Sequence, residues 1–162
     1  MSERVRTRER FKLSMSVFLL LLNEGKLLFV LRNDTGWMDG KYSVPGGVKE
    51  PLETLPQAVA REGEEEVGAI IDPEDLVLVH TMHNFTTGQE WIGAFFLAKK
   101  WAGQLELKEP GKHSELKWIP ADNLPDNISP YVKQAIEHFL LQSGYSEYGW
   151  DIADDGTESP YR

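Results

Sequence analysis

The element that the sequence defines most closely is a helix that begins after residue 54 and ends before residue 68. Thr54 suits the N-cap, Gln57 stands three residues later as in a capping box, and Pro56 falls in the first turn, where proline is tolerated. Gly68 is placed to end the helix. Because this helix carries several glutamates, any fold of the chain must accommodate their charge.

Three of those glutamates share one side of the helix. Glu62, Glu65 and Glu66 lie at positions i, i+3 and i+4, so their carboxylates project from one face. Most charge runs of this kind are solvated helix faces. A preceding Pro-Gly-Gly turn, and Arg61, which can pair with an inner carboxylate, favour a cation site instead. Oxygen ligands with no histidine or cysteine nearby indicate Mg²⁺, Mn²⁺ or Ca²⁺.

The overall charge narrows the classes of partner. A formal net charge of −9 argues against broad binding to nucleic acid or to an anionic membrane, since both need a basic face. A phosphate substrate fits such a chain if carboxylates first bind divalent cations, because those ions reverse the local field. The chain has no cysteine, which excludes thiolate chemistry and is compatible with a reducing cytoplasm, the location that we expect.

Apolar runs and turn residues predict the remaining elements. Residues 17–22 and 27–31 predict two buried strands, joined as a hairpin by Asn23, Glu24 and Gly25. Ser129 and Pro130 predict the cap and first residue of a second helix, which Gly144 would end. Shorter strands are expected at residues 42–44, 76–82, 91–99 and 116–119. Strands interleaved with two helices predict an α/β sandwich.

The same pattern predicts the organisation of the chain into one domain with two extensions. We expect a basic arm or edge strand at residues 1–13, the domain at residues 14–144 and an acidic tail at residues 145–162. Aromatic residues at the start of the tail are expected to pack back on the domain or on a partner subunit. The expected state is a monomer or a homodimer.

The segment from Gly47 to Gly68 resembles the Nudix box. That motif runs glycine, five residues, glutamate, seven residues, Arg-Glu, an apolar residue, any residue, Glu-Glu, any residue, glycine and an apolar residue. Gly63 and Ala69 stand where the family usually has larger apolar residues, which concerns local packing rather than chemistry. The residues in register are Gly47, Glu53, Arg61, Glu62, Glu65, Glu66 and Gly68.

The resemblance implies a fold and a metal centre. The fold would be the Nudix α/β/α sandwich around a mixed β-sheet, with Glu53, Arg61 and Gly68 in structural roles. Mg²⁺, or Mn²⁺ in its place, would be the cofactor, and Glu62 or Glu65 would be the general base. The implied metal ligands are Gly47, Glu62, Glu65, Glu66 and Glu115, the last of which resembles a downstream glutamate of MutT-like members and is otherwise a surface residue.

Four residues are candidates for contact with a small-molecule nucleotide. Arg32 suits phosphate, and the rings of Trp37 and Phe85 suit stacking on a base. Asn127 lies in a segment similar to the one before the last helix of MutT-like enzymes, where an asparagine can bind a purine edge. For each of the four, ordinary packing, a turn or surface exposure is the alternative.

The resemblance leaves three functions open. The first is hydrolysis of a nucleoside triphosphate to a monophosphate and pyrophosphate. The second is hydrolysis of a nucleoside diphosphate linked to a sugar, or of ADP-ribose, although the proline expected about fifteen residues past the box in ADP-ribose hydrolases is missing. The third is a nucleotide sensor without catalysis, against which the complete set of Glu62, Glu65 and Glu66 counts.

Overall fold

The computed structural model describes residues 10–150, so most of the predicted arm and residues 151–162 of the tail lie outside it. Within this range no helix has the length and apolarity needed to cross a membrane. The strands and helices are β1 (Ser14–Leu20), β2 (Leu22–Asn23), β3 (Lys26–Arg32), β4 (Tyr42–Ser43), β5 (Gly46–Val48), α1 (Leu55–Val67), a 3-10 helix (Pro73–Asp75), β6 (Leu76–Thr86), β7 (Gln89–Ala98), β8 (His113–Pro120), α2 (Pro130–Leu140) and β9 (Tyr145–Tyr148).

The strands form two sheets. Five of them follow the order β5-β1-β7-β6-β9, with β1 parallel to β7 and β9 parallel to β6, while the other pairs are antiparallel. The second sheet is built on β3, which pairs antiparallel with β2, β4 and β8. Mixed pairing together with two helices confirms the predicted α/β fold.

The central strands divide their side chains between two apolar cores. Successive side chains of a strand point to opposite faces, so an all-apolar strand can feed both. The two helices cover these cores, which explains why β1 and β3 are continuous apolar runs. The core beneath α2 contains Phe18, Leu20, Leu27, Phe29, Val132 and Ile136. The core beneath α1 contains Val17, Leu19, Leu28, Val30, Ala58 and Val59.

The predicted hairpin across residues 17–31 is wrong in most of its pairing. β1 ends at Leu20 and joins the five-stranded sheet, and only Leu22 and Asn23 pair with β3. Glu24 and Gly25 have φ of 48° and 75°, which suits a two-residue turn. β1 and β3 are both buried on two faces and are equally apolar. Hydrophobicity alone therefore did not show that β1 pairs with β7 rather than with β3, the next long strand in the sequence.

Strands β6 to β8 are longer than predicted. β6 extends to Thr86, and β7 begins at Gln89. Thr87 and Gly88 form the tight turn between them, and both have positive φ. β8 begins at His113, three residues before the predicted start. The added residues are polar or half-exposed and therefore do not stand out as apolar runs.

The first helix agrees with its prediction at both ends. The Thr54 side chain accepts a hydrogen bond from the Gln57 N–H, and the Gln57 side chain accepts one from the Thr54 N–H, which completes the capping box. Gly68 ends the helix with φ of 71°. A Cβ at Gly63 would lie 2.8 Å from a methyl carbon of Leu19, so the missing side chain lets β1 pack closely on α1.

The second helix and the segment after it differ from expectation. α2 ends at Leu140 rather than at Gly144, and Tyr145–Tyr148, within the segment assigned to the tail, form β9. The buried ring of His80 holds this strand, with Nδ1 2.8 Å from the Ser143 carbonyl and Nε2 2.9 Å from Ser146 Oγ. The first residues of the tail therefore pack back on the domain, which was one of the two alternatives.

We expect Gly68→Ala to lower the free energy of unfolding by roughly 1–2 kcal/mol, because alanine is strained at positive φ. Its Cβ would also lie 2.7 Å from the Gln104 carbonyl oxygen. Urea unfolding followed by circular dichroism measures the change. Gly144→Ala is the matched control, since open space surrounds that position. Equal stability of the two variants would contradict the assigned role of Gly68.

Candidate metal centre and substrate cavity

Strand β5 brings backbone groups against the glutamate face of α1. The Gly46 N–H donates to Glu66 Oε2 at 2.9 Å. A Cβ at Gly46 would lie 2.2 Å from the Val17 carbonyl oxygen, and one at Gly47 would lie 2.4 Å from Glu62 Oε1. A side chain at Gly46 would collide with the backbone of β1, whereas one at Gly47 would displace the carboxylate of Glu62.

Arg61 joins the acidic residues through its guanidinium group. Nε and Nη2 donate to the two carboxylate oxygens of Glu53 at 3.1 and 2.9 Å. Nη1 donates to Glu62 at 2.7 Å and to Glu65 at 3.3 Å, while Nη2 also reaches the Val48 carbonyl at 3.3 Å. These bonds to Arg61 are the main reason that the pKa of Glu53 falls to about 2. The guanidinium thus ties the loop, the strand and the helix together.

Two glutamates of the cluster are buried to different degrees. Glu66 is only 6% exposed, and burial raises its pKa to about 8, even though the Gly46 N–H stabilises the ionised form. Burial also raises the pKa of Glu62, against the opposing effect of Arg61. Glu65 is half-exposed. A buried carboxylate in this position needs a proton or a cation.

Two residues near Glu66, Glu109 and His113, were not among the predicted metal ligands. Ligand atoms of Glu66, Glu109 and His113 lie within 4.8 Å of one another, a spacing that allows a shared metal ion. The loop bearing Glu109 is bound to the end of α1, where the Lys108 N–H donates to the Glu66 carbonyl at 3.0 Å. Glu109 and His113 stand four residues apart, but Glu66 lies far before them in the chain, so no single spacing rule joins all three. The only local sign is a glutamate in a Glu-Pro-Gly turn.

Glu115, the predicted downstream ligand, is not part of this group. It lies on β8, and its carboxylate accepts a hydrogen bond from the Tyr42 hydroxyl. That bond raises the pKa of Tyr42 to about 12. The side chain of Glu115 is 43% exposed and lies 3.9 Å from Lys117 Nζ.

The donor atoms of this region fit a divalent cation. Carboxylates of Glu62, Glu65, Glu66 and Glu109 supply hard oxygen atoms in excess of the charge that Arg61 neutralises. His113 adds a ring nitrogen to these oxygens, since its Nε2 lies 3.7 Å from Glu66 Oε1.

A cavity of about 310 Å³ opens beside the same two glycines of β5. Its walls combine polar side chains with the rings of Phe18, Trp37, Trp91 and Tyr131. The indole of Trp91 meets the ring of Tyr131 edge-on with centroids 5.5 Å apart. Arg32 also borders it, and its Nε donates to the Trp37 carbonyl at 2.7 Å, which holds the loop that carries Trp37. A cavity of this size with several aromatic rings in its walls can hold a nucleotide base.

Two of the four predicted substrate contacts line the cavity and two do not. Arg32 and Trp37 border the cavity, whereas Phe85 and Asn127 are not among its lining residues. Phe85 packs its ring 5.3 Å from that of Trp150. Asn127 Nδ2 donates to the Gly40 carbonyl at 3.4 Å. The side chains of Phe85 and Asn127 therefore contact residues that do not line the cavity.

Comparison with known families identifies the class of protein. The NUDIX domain model matches residues 11–139, which is more than half of the chain. The protein belongs to the Nudix family, and the resemblance carried by residues 47–68 is confirmed.

Individual relatives include MutT-type proteins. An Escherichia coli K12 protein named 8-oxo-dGTP diphosphatase is 32% identical over 116 residues, covering 70% of this chain and 88% of the relative. A mouse protein named 8-oxo-dGDP phosphatase is 30% identical over 111 residues, covering 67% of this chain but only 33% of the relative, so the chain spans about a third of that protein. The crystal structure of a MutT NUDIX hydrolase from Burkholderia pseudomallei aligns with a TM-score of 0.72 and 26% identity over 78% of this chain and 98% of that one.

We expect the metal-free protein to lose stability as the pH rises from about 5 to about 8. The unfolded chain releases the Glu66 proton near the ordinary value, whereas the folded protein keeps it until the pKa of about 8, so the folded state binds more protons in this window. The loss is at most about 1.4 kcal/mol per pH unit.

Urea unfolding in EDTA across this pH range tests the expectation. Glu66→Gln should flatten the curve, because the amide does not titrate. Glu64→Gln, a change of the same charge at an exposed position of α1, should leave the slope as in the wild type. A slope that survives Glu66→Gln would show that another group is responsible.

Proposed function

We propose that this protein is a divalent-metal-dependent hydrolase that cleaves the pyrophosphate link of a nucleotide. The observation that carries the proposal is the union of two features at one place. Glu62 and Glu66 contact the backbone at Gly46 and Gly47, and the aromatic cavity opens at the same two glycines. A nucleotide with its base in the cavity would bring its phosphates to the carboxylates.

The metal is proposed to be Mg²⁺, or Mn²⁺ in its place. Its proposed ligands are Glu62, Glu65, Glu66 and the Gly47 carbonyl, to which Glu109 is added because its carboxylate lies beside that of Glu66. When bound, divalent cations neutralise the charge that develops on the phosphate oxygens during hydrolysis.

We assign the role of general base, which takes the proton from the attacking water, to a carboxylate of α1. Glu62 and Glu65 both accept hydrogen bonds from Arg61 Nη1, which orients them. Burial raises the pKa of Glu62 towards the range of an efficient general base. Glu65 is more exposed and reaches solvent directly. Either residue can take up the proton, and no covalent intermediate is needed.

The proposed substrate is a nucleoside triphosphate, converted to a monophosphate and pyrophosphate. Support comes from the 8-oxo-dGTP diphosphatase of Escherichia coli, of which this chain covers 88%. Arg32 and Trp37 both border the cavity, which supports Arg32 as the proposed phosphate contact and Trp37 as the proposed stacking ring. We assign no nucleic-acid substrate, because the net charge of −9 opposes polyanion binding.

A substrate panel with Mg²⁺ tests the proposal. It should contain canonical and oxidised nucleoside triphosphates and diphosphates, ADP-ribose, nucleotide sugars and dinucleoside polyphosphates. Pyrophosphate together with a nucleoside monophosphate from a triphosphate is the expected result. Cleavage of sugar-linked diphosphates alone would identify the second kind of hydrolase, and tight nucleotide binding without turnover would identify a sensor.

We expect Glu65→Gln and Glu66→Gln each to lower kcat by about two orders of magnitude or more, since each removes a charged ligand or the base. Glu64→Gln is the matched control, because it makes the same change on the same helix outside the cluster. Thermal unfolding should show that all three variants fold. Full activity of both cluster variants would disprove the proposed metal centre.

We expect Trp37→Ala to raise KM for the nucleotide about tenfold, which corresponds to the loss of one stacking contact of roughly 1–3 kcal/mol. Metal affinity, measured by calorimetry, should stay unchanged. Phe85→Ala is the comparison, because its ring packs on Trp150 rather than into the cavity. A larger rise in KM for Phe85→Ala than for Trp37→Ala would place the base elsewhere.

A further inference from the structure

We propose that His113 is a nitrogen ligand of the metal centre, and that the resulting mixed oxygen and nitrogen site favours a first-row transition-metal ion over Mg²⁺. This inference rests on the metal centre of the proposed function but adds a ligand that the carboxylate motif does not contain. It concerns the site formed by Glu66, Glu109 and His113.

The ring of His113 is buried and faces a carboxylate at a distance that leaves room for an ion. Only 2% of the residue is exposed, at the point where the pairing of β3 with β8 is irregular beside Arg32. Its Nε2 lies 3.7 Å from Glu66 Oε1, which is too far for a hydrogen bond. Two ligands of one ion, each about 2.1 Å from it, lie about 3.0 Å apart at a right angle and about 4.2 Å apart on opposite sides. The observed distance falls between these limits and therefore suits two ligands of one ion.

In Glu66 and Glu109, one carboxylate oxygen is hydrogen-bonded to a protein group and the second oxygen is left for a cation. Glu66 Oε2 is occupied by the Gly46 N–H, so Oε1 is the oxygen that faces the histidine. Glu109 binds Lys112 Nζ through one oxygen at 2.7 Å. Of the two ring nitrogens of His113, Nε2 is the one that faces Glu66 Oε1, so Nε2 is the atom that would bind the ion.

The chemical consequence is a change in metal preference. Mg²⁺ selects oxygen ligands and holds its water tightly, whereas ions from Mn²⁺ to Zn²⁺ accept imidazole together with carboxylate. A site made of two carboxylates and one imidazole thus binds such an ion more tightly than a site made of oxygen alone.

Electron spin-echo spectroscopy of the Mn²⁺-loaded full-length protein tests the assignment, because it detects the ¹⁴N nucleus of an imidazole bound to Mn²⁺. We expect a ¹⁴N signal in the wild type that is absent from His113→Gln. Calorimetry should show Mn²⁺ affinity falling about tenfold or more in that variant, with a smaller effect on Mg²⁺. The matched control is His138→Gln, which changes a histidine of α2 and should keep both the signal and the affinity.

Three outcomes would overturn the proposal: absence of the ¹⁴N signal from Mn²⁺-loaded wild type, persistence of the signal in His113→Gln, or no binding of Mn²⁺. If His113→Gln does not fold, the double variant His83→Gln with His138→Gln serves instead. It leaves His113 and His80, whose two nitrogens are already hydrogen-bonded, and it must keep the signal. Turnover of nucleotides without a ¹⁴N signal would refute only the role of His113, whereas the signal without turnover would refute only the proposed hydrolysis.

Discussion

The candidate site depends on the hydrogen bonds of one guanidinium group. Arg61 binds Glu53 through two nitrogens and also contacts Glu62, Glu65 and the Val48 carbonyl. A planar fork with five donors can make all these bonds at once, which a lysine cannot. The bonds fix the loop between β5 and α1 and reduce the repulsion among the carboxylates, so an acidic helix face becomes a set of oriented ligands.

The same region carries a cost in stability that a bound cation offsets. Glu66 is almost fully buried, and its raised pKa means that its ionised form is disfavoured in the metal-free protein. Glu109 and His113 are brought beside it by a loop bound to the end of α1. Buried charge of this kind is typical of functional sites rather than of structural ones. Affinity for metal and stability of the metal-free fold are therefore opposed here.

The cavity is built from elements spread along the whole described chain. Ser16 and Phe18 come from β1, Trp37 from the loop after β3, Trp91 from β7 and Tyr131 from α2. The ring of Tyr148 on β9 meets that of Tyr131 at 6.4 Å, so the C-terminal strand supports the cavity wall. The proposed metal ligands of α1 lie on one helix, whereas the residues that line the cavity come from many separate elements. This division explains how a family can keep its metal-binding motif while its substrates differ.

The sequence by itself determined the features that rest on local interactions. The helix α1, its caps at Thr54 and Gly68, and the spacing of its glutamates depend on residues within a few positions of one another, and the structure agrees with them. Tertiary structure alone decided which strands pair, since β1 and β3 are apolar on both faces. It also placed Glu109 and His113 beside Glu66 and turned Phe85 towards Trp150. These contacts join distant segments, and their free energy depends on packing that no local pattern encodes.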